Sequence, residues 1–204
     1  MTDARSRWMD VESRLGRQPE LFAELVARYA EPHRAYHDLS HVLDVLNALD
    51  RLPLQDPLAV TLAAWFHDAV YDSRASDNEE RSADLAVANL SKSGLAFERV
   101  EKVAALILAT KRHGPTHDPD TRALLDADLA ILGSPSERYD VYARAIRREY
   151  AWVPDEEYRA GRGRVLEEFL ARDRLYQTTS LFVVLEGPAR HNLARELAVL
   201  TRIA

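Results

Sequence analysis

Six of the seven histidines lie between His33 and His117, and several stand inside or beside apolar stretches. His37 and His41 fall one helical turn apart in Tyr36-His37-Asp38-Leu39-Ser40-His41. His67 and Asp68 are neighbours in the apolar run Ala63-Ala64-Trp65-Phe66-His67-Asp68-Ala69-Val70-Tyr71-Asp72. Asp126 and Asp128 interrupt Leu124-Leu125-Asp126-Ala127-Asp128-Leu129. An ionised aspartate among leucines costs several kcal/mol unless something compensates it, and a divalent cation does so directly. Imidazole and carboxylate are suitable ligands for zinc, manganese, iron or nickel. The chain has no cysteine, so thiolate catalysis, disulfides and iron–sulfur sites are excluded and any metal must sit on His, Asp or Glu.

Each residue alone has a plainer explanation. A single helical histidine is usually exposed or hydrogen-bonded, and Asp128 could cap a helix or pair with a cation. Their joint order and apolar context favour a metal. Successive helical residues diverge by about 100°, so His67 and Asp68 cannot stack on one stripe, but they can straddle an ion lying between their helix and two neighbours. Two imidazoles and two carboxylates would leave coordination positions for water and a phosphoryl oxygen.

The elements that must position these groups are helical almost throughout. Trp8, Val11 and Leu15 mark a first helix; Leu21, Leu25 and Tyr29 mark a second, stopped near Pro32. Leu39, Val42, Leu43, Leu46 and Leu49 stripe a third. Asp56 and Pro57 are a strong start signal for a fourth, predicted to run to about Tyr71. A polar loop spans Asp72 to Asp77. Leu85 and Leu90 belong to a helix closed by Gly94, and Val100, Val103 and Ile107 to one ending at His113-Gly114-Pro115. Asp118-Pro119 opens a helix predicted to reach Leu132. Later helices start at Ser134-Pro135 and Pro154-Asp155. A last one spans roughly Glu186 to Ile203 with its true start near Pro188, and Ser180 to Leu185 is the one candidate strand. The expectation is an all-α single domain, an orthogonal array with its metal-site core at about 33–132 and C-terminal helices, 135–204, packing on it.

The bulk numbers agree with a folded helical protein: 204 residues, 47% hydrophobic and 29% charged. A net charge of −6 argues against broad binding to nucleic acid or an anionic membrane. It leaves room for a small phosphorylated molecule, because a bound cation and a few arginines can reverse the potential inside one site. The charged N-terminus has no apolar signal-peptide core, and no apolar run approaches the roughly 20 residues that cross a bilayer. A cytoplasmic protein without membrane partners is expected; a homodimer is allowed but not specified. The arginine-rich stretch from Arg138 to Arg174 is interleaved with acids and reads as a salt-bridged, solvated face.

The ordered set His41 … His67-Asp68 … Asp128 resembles the HD superfamily of metal-dependent phosphohydrolases. The phrases around His37–His41 and Trp65–Asp72 resemble in particular a small bacterial group of predicted HD phosphohydrolases. The likeness extends through Glu186-Gly187-Pro188-Ala189-Arg190-His191-Asn192-Leu193. It implies a helical HD-type array and one divalent metal, manganese or zinc favoured, on His41, His67, Asp68 and Asp128. It also implies hydrolysis of a phosphate ester or anhydride, plausibly of a nucleotide. His113 lies where some members place a further histidine for a second metal or phosphate. In the guanosine tetraphosphate hydrolases of this superfamily a Glu-Asp pair follows the His-Asp pair. Here those positions read Tyr71-Asp72, so half of that pair is missing, and Asp72 remains a candidate base with Glu79 and Glu80. Arg34, Lys111 and Arg112 are candidates for substrate phosphate, and His37 for orienting a ligand or capping its helix. The competing expectation is an HD-fold module that keeps its metal and senses a ligand without turnover.

Overall fold

The computed structural model describes residues 2–201. Among them are ten α-helices, one 3-10 helix and no strand, so the all-α class holds. The chain forms two compact units, with the boundary between Ala127 and Asp128.

The first unit contains α1 (Thr2–Leu15), α2 (Pro19–Tyr29), α3 (Leu39–Leu49), α4 (Pro57–Phe66), α5 (Asn78–Leu90) and α6 (Phe97–Thr110), followed by α7 (Pro119–Asp128), whose last residue, Asp128, opens the second unit. Its centre is α4, in which Leu58, Ala59, Val60, Leu62, Ala63, Ala64, Trp65 and Phe66 are all buried. A helix that is apolar all round belongs inside a protein, and α1, α3, α5 and α6 pack against this one. Trp65 meets the Trp8 ring edge-on at 5.3 Å and the Phe22 ring at 6.2 Å, joining α1 and α2 to it.

The start of α4 is held by charge. Asp56 caps it, accepting from the Ala59 N–H at 3.1 Å, and Arg99 of α6 pairs with Asp56 at 2.9 Å. Asp120, fully buried in the first turn of α7, accepts from the Gln55 and Asp56 N–H groups at 2.7 and 2.9 Å and from Lys102 at 2.5 Å. A buried carboxylate is tolerable when its oxygens meet this many donors. Helices α4 and α7 therefore begin from one charge cluster, and each leads to a candidate metal ligand.

Three boundaries differ from those the sequence predicts. Helix α4 stops at Phe66, not Tyr71, with His67 as its C-cap. Side chains meet the chain's carbonyls there in place of further helical turns: Tyr29 donates to Trp65 O at 3.0 Å, and Arg34 to Asp68 O at 2.7 Å and Ala69 O at 3.2 Å. Helix α7 ends at Asp128, and Leu129–Gly133 winds into the 3-10 helix.

The third difference lies in the second unit, which contains that 3-10 helix, α8 (Ser136–Glu149), α9 (Asp155–Leu170) and α10 (Thr179–Thr201). Ser180 to Leu185, the candidate strand, forms the opening turns of α10. Thr178 Oγ1 accepts from the Leu181 N–H at 3.4 Å, a cap that starts the helix well before Pro188. Pro188 sits inside α10 and removes the hydrogen bond that the Val184 carbonyl would otherwise accept. The predicted end at Ile203 lies outside the described residues.

The Glu186–Leu193 phrase serves the framework of this unit. Glu186 accepts from the Leu175 and Tyr176 N–H groups at 3.0 and 3.2 Å, while Asn192 donates to Leu132 O at 2.9 Å and Ser134 O at 2.8 Å. A Cβ on Gly133 would lie 2.6 Å from Leu185 Cβ, so only glycine allows α10 to approach this closely. Arg147 pairs with Asp155 and Arg195 with Asp140, as the interleaved charges suggest. Arg162 departs from the solvated picture: its side chain is only 10% exposed and forks onto Glu196 at 2.9 and 3.0 Å.

Two outcomes follow for stability. Gly133→Ala should lower the urea unfolding free energy by about 1–3 kcal/mol through overpacking. Asp56→Ala should cost about 1 kcal/mol at neutral pH through loss of the cap. Burial pushes the Asp56 carboxyl up, but Arg99 and the Ala59 N–H outweigh it and hold it below the usual carboxylate range. Its stabilisation is therefore present above the ordinary value of 3.8 and fades as pH falls below it, so urea titrations of wild type and Asp56→Ala should converge on acidification.

Candidate metal centre

His41 stands in the first turn of α3. Asp38 caps that turn, accepting from the Ser40 N–H at 2.8 Å and the His41 N–H at 3.3 Å. The cap fixes the backbone under His41, whose buried ring lies 4.7 Å from the Tyr36 ring. His67, also buried, follows the last residue of α4, and its Nδ1 lies 2.8 Å from Ala64 O. A carbonyl oxygen only accepts, so Nδ1 carries a proton and donates to Ala64 O, with Nε2 directed at the Asp68 carboxylate. This is the arrangement usual for a metal-binding histidine, whose other nitrogen donates to a carbonyl or carboxylate.

The chain turns immediately after α4, which resolves the divergence expected of two adjacent helical residues. Asp68 Oδ2 lies 3.1 Å from His67 Nε2 and 3.5 Å from His41 Nε2, and the two Nε2 atoms are 3.1 Å apart. Donors about 2.1 Å from one ion, meeting at 90–110°, lie roughly 3.0–3.4 Å apart, so the triangle has the size that a first-row divalent ion requires. His41, His67 and Asp128 each offer one ligand atom, all within 4.8 Å of one another, and this set could hold a metal ion. His67 stands at the C-terminus of α4, where the partial negative charge of the backbone favours a cation.

Burial pushes the Asp68 carboxyl up, but the charges of His67, His37 and His41 and a hydrogen bond from His67 hold it well below the usual carboxylate range. The carboxylate is thus available as an anion. His37 is not the cap of α3, a role taken by Asp38; its ring stacks on Tyr71 at 4.2 Å, and its charge acts on Asp68.

The remaining candidates are placed as follows. Asp72 is exposed in the loop after the turn, not one helical turn beyond Asp68, because α4 has already ended. Its Oδ1 accepts from the Arg74 N–H at 2.9 Å, shaping its own loop. Glu79 is half-buried in the first turn of α5. Glu80 pairs with Lys111 at 2.5 Å, which holds its carboxyl below the usual range, and Lys111 also donates to Ser76 O at 2.7 Å. Arg112 is exposed beyond the end of α6. His113 adopts φ 46°, a left-handed conformation that favours glycine, and its N–H donates to Ala109 O at 3.3 Å. Arg34 is buried with four of its N–H groups committed inside the fold.

Several residues that build the site carry no sequence motif. Tyr29 and Arg34 reach across from other segments to the turn. Ser82, fully buried, accepts from the Val70 N–H at 3.0 Å and donates to Val70 O at 3.3 Å, while His33 Nε2 meets Tyr71 O at 2.8 Å. Their only signal is a polar residue beside an apolar stripe, which is too common to single them out.

The chain matches no protein-family model, no curated protein and no solved structure. The centre therefore stands on its own geometry. Manganese at about 100 times its Kd should stabilise the folded protein by about 2.7 kcal/mol. His41→Ala and His67→Ala should each abolish that increment. Chemical unfolding with and without the ion checks this, and equal stabilisation of the variants would place the ion elsewhere.

Proposed function

We propose that the protein is a metal-dependent phosphohydrolase with an HD-type helical array, acting on a phosphate ester or anhydride of a small molecule, specifically a nucleotide. The observation that carries this is the convergence of His41 Nε2, His67 Nε2 and Asp68 Oδ2 within 3.1–3.5 Å of one another. Asp128 joins the same histidines, in the chain order that resembles the HD superfamily. Manganese or zinc is the ion proposed, since imidazole and carboxylate ligands suit either. When bound, such an ion lowers the pKa of water and polarises a phosphoryl oxygen.

The chain's own part is to hold anionic and neutral ligands ready and to move a proton. Proton transfer needs an acid or base within hydrogen-bond reach of the reacting group. Glu79, half-buried at the start of α5, and His37, stacked beside Asp68, are the groups proposed for it. Asp72 is a weaker candidate because its carboxylate already shapes its loop, and Glu80 is tied to Lys111. Lys111 and Arg112, at the end of α6, are proposed to meet substrate phosphate, Lys111 by exchanging Glu80 for it.

The same engagement of Asp72, Glu80 and Lys111 gives specific support to a second reading, a module that retains metal and binds a phosphorylated ligand without turnover. A screen of the manganese- or zinc-loaded, tag-free protein against phosphomonoesters, nucleotides and guanosine pyrophosphates separates the two. Hydrolysis is expected to fall by more than about 100-fold in His67→Ala/Asp68→Ala, since loss of ligands should exceed the cost of disturbing the groups behind them. Activity that survives the double substitution would contradict the proposal, and tight metal binding with no turnover across the panel would favour the binding module.

A further inference from the structure

We infer that Arg34 is the positioning residue of the metal centre, a buried guanidinium that fixes the His67-Asp68 turn and ties it to the segment leading into His41. The inference rests on reading His41, His67, Asp68 and Asp128 as metal ligands. The Arg34 side chain is completely buried, so it has no access to a ligand in solvent. Its Nη1 donates to His37 O at 2.8 Å and Asp68 O at 2.7 Å, and its Nη2 donates to Ala69 O at 3.2 Å. Nε donates to Glu31 at 3.1 Å, which leaves one of the five guanidinium N–H groups beyond these bonds. The Tyr29 and Tyr71 rings lie 5.1 and 5.6 Å from the guanidinium carbon, within cation–π range.

The carbonyls explain why this residue must be arginine. Past Phe66 the chain leaves the helix, and Asp68 O and Ala69 O lose the N–H partners that further turns would supply. His37 O lies in the segment before α3, four residues from His41. One planar fork satisfies all three oxygens, so the stretches that carry His41 and Asp68 share a single rigid hub. A lysine ammonium is a compact charge without that fork and cannot reach three separated carbonyls in fixed directions. Neutral carbonyls also leave the Asp68 carboxylate free to face the two imidazoles.

Arg34→Lys tests this while keeping a positive charge in place; Arg34→Met would leave all three carbonyls bare and could fail to fold. Cobalt(II) is titrated into the tag-free protein, with affinity and ligand-field spectrum as readouts. Exchange of the Ala69 amide, which closes the turn by donating to Phe66 O at 3.0 Å, is followed relative to the Leu62 amide in the core of α4. Arg34→Lys should weaken cobalt binding about 10–100-fold, change the spectrum and raise the Ala69-to-Leu62 exchange ratio. Leu106→Ala, a core truncation in the same unit, should lower stability but leave cobalt affinity, spectrum and that ratio unchanged. Cobalt bound by Arg34→Lys as by wild type, or weakened equally by Leu106→Ala, would overturn the role of Arg34 and leave the proposed function standing. No cobalt bound by wild type would overturn the metal reading itself, and this inference with it.

Discussion

Two imidazole nitrogens and a carboxylate oxygen within 3.1–3.5 Å of one another set the constraint that the first unit has to meet. His67 Nδ1 donates to Ala64 O, and His67 Nε2 faces an Asp68 oxygen at 3.1 Å. A carboxylate in this place needs positive charge beside it, because burial removes the water that would screen it. Protons on the imidazoles are one source of that charge, and a divalent ion, which the group could hold, is another. Burial pushes the Asp68 carboxyl up, yet the charges of His67, His37 and His41 hold it well below its usual range, the mark of positive surroundings.

Holding such a group in place requires rigid backbone on both sides. On one side is α4, enclosed by other helices and capped by Asp56; on the other is α3, whose cap Asp38 stands three residues before His41. Past the end of α4 the chain is irregular, and irregular buried backbone must find side-chain partners for its carbonyls. Tyr29, Arg34 and Ser82 supply them at Trp65, Asp68, Ala69 and Val70. The polar residues buried around the turn are therefore spent mostly on its shape. The same economy appears in the second unit, where Glu186 and Asn192 hold loop backbone.

What was legible in the sequence followed from local physics. The 3.6-residue periodicity reveals the helical class, Asp56-Pro57 the start of α4, and the histidines and aspartates in apolar runs a group that could hold a metal ion. The end of α4 was not legible, because the partners that terminate it come from 34 to 36 residues away. Distance along the chain likewise hid the nature of Arg34, which looks like a phosphate-binding arginine until its burial is known. Val183 and Val184, 75% and 64% exposed, imitated a strand at the start of α10, and Pro188 imitated a helix start. Local signals failed where capping by Thr178 and tertiary packing decided instead.

X-ray absorption at the metal edge of tag-free protein, loaded with one equivalent of zinc, tests the centre most directly. Two imidazole rings and carboxylate oxygens at about 2.0–2.2 Å are expected around a single ion, with the imidazole signal reduced by half in His41→Ala. A shell of oxygen donors alone, or a zinc content that never approaches one per chain, would contradict the account.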